Sequence, residues 1–270
     1  MGSSLGGSRF MRWLLPGFTG LVVAFLFAPI VVMIVFSFNH PRGHQNITWQ
    51  GFTLDNYTNV WSRPDITDPM LTSLTIAIIS TVVATIFGTL IALSLTRYEF
   101  RGKEAMNTLV IMPALVPETI LGVGLLLLMK WLHQPRSYML LVLGHIMLAL
   151  PFVVLVVQAR LIGIKRVYEE ASLSLGANRF NTFREVTLPL LMPAIIASIL
   201  LVFTISFDNI TASLFWRPPG VETMPTQILA MLKISISPEI NALGTLMILI
   251  TVGLPLAGGL IGRILFGNRQ

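Results

Sequence analysis

The sequence is dominated by long apolar runs that carry almost no charge. The first, from Trp13 to Phe38, is 26 residues long and contains no Asp, Glu, Lys or Arg, and a helix needs only about 20 apolar residues to cross the hydrocarbon core of a bilayer. These runs predict an all-α membrane protein with six transmembrane helices in one domain over residues 1–270. The predicted spans are residues 13–38, 70–96, 105–129, 137–159, 186–216 and 240–262.

Composition agrees with a chain whose surroundings are largely lipid. Hydrophobic residues make up 54% of the chain and charged residues 11%, and the mean hydropathy is +0.79. The net charge of +6 does not indicate nucleic acid, because the basic residues are spread over short loops without a dense basic run. With no cysteine, four scattered histidines and no His-Glu-x-x-His motif, the chain is expected to hold no metal site and to be no intramembrane enzyme.

Lysine and arginine in the loops predict the orientation, because positively charged loops resist translocation. If the N-terminus lies inside, twelve of these residues are in inner segments and six are in outer segments. We therefore expect both termini to lie in the cytoplasm. The polar segment between the fourth and fifth predicted spans, residues 160–187, then lies in the cytoplasm as well.

This segment has the pattern of two short helices separated by a glycine. Val167, Ala171 and Leu175 recur at intervals of four residues and form one apolar helix face. Gly176 is a natural end for that helix, and Asn178 is a natural cap for the next. The pattern predicts a compact, helical projection at the inner membrane surface.

The same residues resemble a family signature, that of the permeases of binding-protein-dependent ABC importers. That signature is Glu-Ala-Ala, three residues, Gly, nine residues, then Ile, any residue and Leu-Pro. This chain keeps the spacing throughout and departs from the pattern only at Ser172 and Val186. Its matching residues are Glu170-Ala171-Ser172, Gly176 and Val186-Thr187-Leu188-Pro189.

The resemblance implies a permease subunit in a type I ABC importer of a bacterial inner membrane, working by alternating access. In that family the loop forms a coupling helix on a dimer of ATP-binding subunits, a second permease completes the path, and a periplasmic binding protein delivers substrate. The chain lacks Gly-x-x-x-x-Gly-Lys-Ser/Thr, so ATP and Mg²⁺ are expected on the separate ATPase, and this chain is expected to be neither an enzyme nor a cofactor carrier. The residues expected to couple to the ATPase are Glu169, Glu170, Ala171, Gly176 and Arg179.

Two acids within the predicted spans are candidates for the transport path, because an unpaired charge inside a bilayer is costly and usually faces a cavity or a partner. Asp208 is accompanied by Phe207, Asn209 and Thr211, whereas Glu118 follows two prolines. Three interpretations of Glu118 stay open: it contacts substrate, it lies near the outer end of its span, or it accepts hydrogen bonds from backbone amides freed at the helix break.

The role of Arg179 also stays open: it pairs with the ATPase or is a solvated charge of an inner loop. His145 is a lone histidine in the fourth predicted span, and we expect it to form a hydrogen bond between helices.

A secondary transporter is an alternative class with the same hydropathy, but such a transporter needs no cytoplasmic motif broken by a glycine.

Carboxylates beside aromatic rings suit a cationic solute. Three stretches resemble the polyamine branch of the family, which transports spermidine and putrescine. They are Gly51-Phe52-Thr53-Leu54-Asp55-Asn56-Tyr57, Phe207-Asp208-Asn209 and Ser237-Pro238-Glu239-Ile240-Asn241-Ala242-Leu243. A polyamine is therefore the expected cargo, and importers of opines, phosphonates or ferric iron are the alternatives.

Overall fold

The computed structural model describes residues 6–41 and 46–266, with side chains over residues 14–41 and 46–260. Within these ranges the chain is helical apart from its loops and one isolated antiparallel bridge between Asn39 and Phe52. A π-helical turn, Phe183–Thr187, leads directly into α9. The helices are α1 (Gly6–Phe36), α2 (Asp55–Trp61), α3 (Pro64–Arg97), α4 (Lys103–Leu115), α5 (Glu118–Trp131), α6 (Tyr138–Gly163), α7 (Val167–Ser174), α8 (Arg179–Thr182), α9 (Leu188–Phe207), α10 (Ile210–Trp216), α11 (Met224–Leu232) and α12 (Pro238–Phe266).

The described helices confirm the predicted all-α membrane fold. Five helical stretches are long and apolar enough to cross a bilayer, and α4 with α5 makes a sixth span if this bent pair is counted as one. The helix axis bends by 109° at the break between these two helices. The five stretches are Leu14–Phe36, Pro64–Arg97, Tyr138–Gly163, Arg179–Phe207 and Pro238–Leu260.

Two predicted spans are not continuous helices, which corrects their expected boundaries. The span 105–129 breaks before Pro117, because proline disfavours helical backbone in the residue that precedes it, and Val116 is extended (φ −85°, ψ 135°). The span 186–216 breaks after Phe207, where Asn209 is extended and its side chain accepts a 2.6 Å hydrogen bond from the backbone N–H of Ala212. An Asn that caps a following helix competes with continuation of the preceding one.

The chain divides into two compact units. The first contains the described residues up to Ser62 together with Ala230–Leu246. In it, buried asparagine side chains hold the loop that follows α1. Asn39 Nδ2 donates to Asn46 Oδ1 at 2.6 Å, Asn46 Nδ2 donates to the carbonyl of Phe36 at 2.7 Å, and Asn56 Nδ2 donates to the carbonyl of Ser37 at 2.8 Å.

The second unit contains Arg63–Leu229 and the described residues from Met247 onward. Its core lies where α3, α6 and α9 pack against one another. Small residues permit the close approach of α3 and α6: a Cβ atom on Gly88 would lie 2.7 Å from Cβ of Val153. This core supports the helix ends that carry the candidate site residues. The prediction of one domain over residues 1–270 stays a prediction.

Candidate transport path and coupling site

Two helix breaks of the second unit bring predicted path residues together. Glu118 is the first residue of α5, and Asn209 caps α10, which packs against α5. Asn209 donates from Nδ2 to Oε1 of Glu118 while its Oδ1 accepts from the backbone N–H of Ala212. Glu118 therefore has a side-chain partner, in addition to its favourable position near the positive end of α5.

Asp208 occupies the gap between α9 and α10. Its backbone N–H donates to the carbonyl of Thr204 at 3.3 Å and so ends α9, while the residue itself is exposed. Asp208 directly precedes Asn209, whose side chain donates to Glu118, so the two acids belong to the same pair of neighbouring helix breaks. We call Glu118, Asp208, Asn209 and the half-buried Thr211 the carboxylate patch. Two neighbouring carboxylates at helix breaks favour a cation over an anion.

Phe207 does not share the exposure of its neighbour Asp208. Its side chain is 1% exposed, and its ring stacks on Phe203 with centroids 5.6 Å apart. The structure therefore places Phe207 in the interior, where it supports α9, and not on the surface that carries the carboxylate. Adjacent residues on a helix point about 100° apart, which separates the two side chains.

Two contacts between helices support the patch from behind. His145 Nδ1 and Ser206 Oγ are 2.8 Å apart, which confirms the expected helix-to-helix hydrogen bond between α6 and α9. Trp216 is fully buried and donates from Nε1 to the carbonyl of Gly122 at 2.9 Å. The sequence did not indicate this role, since a tryptophan at the end of an apolar run is also typical of a membrane interface.

The second part of the site is the segment formed by α7, α8 and the π-helical turn, residues 167–187, which we call the coupling knob. Gly176 adopts a left-handed conformation (φ +93°) that favours glycine and turns the chain between the two helices. Asn178 Oδ1 then accepts a 2.8 Å hydrogen bond from the backbone N–H of Asn181. The predicted glycine break and asparagine cap are both confirmed.

The coupling knob exposes apolar side chains. Leu175 is 89% exposed, Phe180 is 68% exposed and Val167 is 59% exposed, and Ala171 is exposed beside them. An exposed apolar surface rimmed by polar residues is typical of a protein-binding site. Glu170 and Arg179 are also exposed, so both are available to a partner.

Glu169 differs from the other predicted coupling residues because it points into the chain. Its Oε1 accepts a 3.1 Å hydrogen bond from Nε of Arg97 and another 3.1 Å bond from Oγ1 of Thr187. Glu169 and Glu170 diverge because adjacent helix positions face different directions. Sequence reasoning missed Arg97, since an arginine at the end of an apolar span is indistinguishable from a topology-setting charge.

Comparison with known proteins identifies the family. Residues 84–266 match the family described as "Binding-protein-dependent transport system inner membrane component". The chain is 37% identical over 252 residues to the spermidine/putrescine transport system permease protein PotC of Escherichia coli K12, covering 93% of this chain and 95% of that one. It is 34% identical over 242 residues to the putrescine transport system permease protein PotI of the same strain, covering 87% and 84%.

A solved structure matches the fold across nearly the whole chain. The crystal structure of a bacterial ABC transporter involved in import of alginate gives a TM-score of 0.73 at 17% identity, covering 96% of this chain and 98% of that chain. These comparisons confirm the resemblance carried by the signature in the coupling knob and by the membrane helices. The chain therefore belongs to the binding-protein-dependent transport system inner membrane component family, as a multi-pass permease of the ABC importer type in the branch that contains PotC and PotI.

Proposed function

We propose that this chain is a permease subunit of an ATP-driven importer and that it forms part of the path for a polyamine such as spermidine or putrescine. The observation that carries the proposal is the carboxylate patch, where Glu118 and Asp208 lie at the breaks of two membrane helices. Polyamines carry several ammonium groups along a flexible chain, and ammonium groups pair with carboxylates through charge-assisted hydrogen bonds. The similarity to PotC over 93% of the chain supports the same cargo class.

Glu118 and Asp208 have different parts in this proposal. Glu118 is held in place by Asn209, so it presents a charge at a defined position. Asp208 is exposed, and we assign it the first contact with an ammonium group of the substrate. Two carboxylates offer partners to two ammonium groups of a polyamine, whereas a single carboxylate would offer a partner to one.

The proposed partners follow from the coupling knob and from the family. The knob faces the cytoplasm, as do both termini, and its exposed apolar side chains sit on an ATPase subunit that binds ATP and Mg²⁺. A dimer of that ATPase, a second permease and a periplasmic binding protein complete the importer. Closure of the ATPase dimer moves the coupling knobs together, and the permease helices alternate between the two sides of the membrane.

The test is uptake by the complete importer in proteoliposomes. The chain is reconstituted with its ATPase, second permease and binding protein, and radiolabelled spermidine, putrescine and 2-aminoethylphosphonate are offered separately with and without ATP. We expect ATP-dependent accumulation of a polyamine and stimulation of ATP hydrolysis by the polyamine-loaded binding protein. Stimulation by the phosphonate alone, or uptake that follows an ion gradient without ATP, would overturn the proposal.

A further inference from the structure

We propose that Arg97, Glu169 and Thr187 form an internal strut that makes the coupling knob move as one body with α3 and α9. The inference rests on the proposed function, because it assigns to these three residues the transmission of movement between the ATPase and the transport path. They are positioning residues, since none of them belongs to the carboxylate patch or to the exposed face of the knob.

Glu169 is the centre of the strut. A single oxygen, Oε1, accepts hydrogen bonds from Arg97 Nε and from Thr187 Oγ1, both at 3.1 Å. These partners come from the end of α3 and from the turn before α9, while Glu169 itself belongs to α7. One carboxylate of α7 is therefore bonded both to α3, 72 residues earlier, and to the turn before α9, 18 residues later.

Arg97 links the end of α3 both to Glu169 of α7 and to the end of α6. Its side chain is only 9% exposed, and it also donates from Nη2 to the carbonyl of Ile164 at 3.0 Å. The planar guanidinium holds the carboxylate and the carbonyl in a defined relative orientation, which a lysine ammonium cannot reproduce. Arg97 thus fixes both the position and the direction in which α7 leaves the end of α6.

Arg166 adds a second link in the opposite sense. It lies immediately before α7 and donates from Nη2 to the carbonyls of Thr96 and Arg97, at 3.3 and 3.2 Å. Each of the two elements therefore supplies an arginine to the other: α3 sends Arg97 to α7, and the start of α7 sends Arg166 to the end of α3. A displacement of α7 away from α3 has to break both sets of contacts.

Thr187 connects the strut to the carboxylate patch. It is buried in the π-helical turn that runs into α9 without interruption. α9 is 20 residues long and ends at Phe207, directly before Asp208, and a helix of that length spans about 30 Å. A movement of Glu169 is thus passed along one helix to the exposed carboxylate.

The strut is tested by the amount of substrate moved for each ATP hydrolysed. In the complete importer, Arg97→Gln and Glu169→Gln are compared with Arg101→Gln and Glu104→Gln, which replace exposed charges near the start of α4. We expect the two strut variants to assemble with the ATPase and to hydrolyse ATP, with spermidine uptake per ATP reduced at least about tenfold. Arg97→Lys retains the charge and is expected to recover part of the loss.

Cross-linking provides a second readout that a general loss of stability does not produce. The chain contains no cysteine, so the double variant Arg97→Cys/Glu169→Cys offers the only two thiols in the permease. We expect this variant to be uncoupled when reduced and to regain uptake per ATP when a short bis-maleimide joins positions 97 and 169. Cross-linking that leaves the variant uncoupled would overturn the strut, as would unchanged uptake per ATP in both glutamine variants.

A failure of the strut and a failure of the polyamine assignment give different results. If the unmodified importer takes up no spermidine, the cargo assignment fails. The strut is then tested by ATP hydrolysis alone: its variants are expected to keep basal hydrolysis and to lose the stimulation by the loaded binding protein. If the unmodified importer takes up spermidine and the strut variants remain coupled, only the strut fails. Loss of ATPase binding by Glu169→Gln, to the extent produced by Glu170→Gln, would reassign Glu169 to the docking surface.

Discussion

In the coupling knob apolar side chains face outward and the charged Glu169 faces inward, whereas beside the carboxylate patch the aromatic Phe207 faces inward and Asp208 faces outward. Leu175 is 89% exposed and the side chain of Glu169 is 18% exposed, while Phe207 is 1% exposed and Asp208 is exposed. The two regions therefore present opposite chemistry to their surroundings. The coupling knob is therefore suited to a protein partner, and the carboxylate patch to a positively charged solute.

The largest effect is expected from removing the exposed charge of the carboxylate patch. Asp208→Asn keeps the shape of the side chain and its place between α9 and α10, but it removes the ammonium partner. We expect spermidine uptake to fall about 100-fold or more, which corresponds to about 3 kcal/mol, while the importer still assembles. Uptake is measured in proteoliposomes and assembly by copurification.

The control is Asp55→Asn, which replaces an exposed acid of α2. If Asp208→Asn takes up spermidine as fast as Asp55→Asn does, Asp208 is not part of the path.

A charge placed on the apolar face of the coupling knob tests whether this face binds the ATPase subunit. Leu175→Glu is expected to weaken binding of the ATPase subunit about 30-fold, because it removes an apolar contact and places a carboxylate against the partner. The stability of the isolated permease is expected to stay unchanged, since Leu175 is 89% exposed. Binding is measured by titrating the purified ATPase onto the permease in detergent. Equal binding by the variant and the parent would show that the exposed face is not the docking surface.

Two substitutions of Glu118 distinguish the effect of its charge from the effect of its hydrogen bond to Asn209. Glu118→Gln keeps an oxygen that accepts the hydrogen bond from Asn209, so the helix break is preserved while the negative charge is lost. We expect the KM for spermidine to rise about tenfold with little change in maximal uptake. Glu118→Ala removes the oxygen as well and is expected to lower maximal uptake too. If Glu118→Gln transports like the unmodified chain and only Glu118→Ala is impaired, Glu118 acts only as a hydrogen-bond partner of Asn209.

The smallest effect is expected behind the patch, at a contact that carries no charge. Trp216→Phe keeps an aromatic ring in the interior and removes the hydrogen bond to the carbonyl of Gly122. The loss of one neutral hydrogen bond costs about 1 kcal/mol, which lowers the midpoint of thermal unfolding by about 3 °C in a protein of this size. Unfolding in detergent measures the change, and Trp61→Phe, at an exposed tryptophan of α2, is the control. A shift as large in Trp61→Phe would show that the contact with Gly122 does not support the patch.

The sequence predicted those features that depend on local patterns. Runs of uncharged residues indicated the membrane helices, and Gly176 and Asn178 indicated the two short helices of the knob. The inward position of Glu169 could not be predicted in this way. It depends on Arg97, which lies 72 residues earlier in the chain, and no helical period connects the two.

The carboxylate patch shows the same limit within a single motif. Its acids were found because a charge in an apolar run is conspicuous. The opposite environments of Phe207 and Asp208, however, depend on how α9 packs and where it ends. Hydropathy does not distinguish an aromatic ring that lines a path from one that supports it, because both are apolar residues in a membrane helix.

At the carboxylate patch, the course of the backbone and the negative charge depend on different residues. Asn209 maintains the break by capping α10, whereas the charges are supplied by Glu118 and Asp208. If the patch lines the path as proposed, exchanging side chains at positions 118 and 208 is expected to change the cargo, provided that a hydrogen-bond acceptor for Asn209 is retained. Replacing Asn209 is instead expected to alter the backbone at the break, and with it the passage of every cargo.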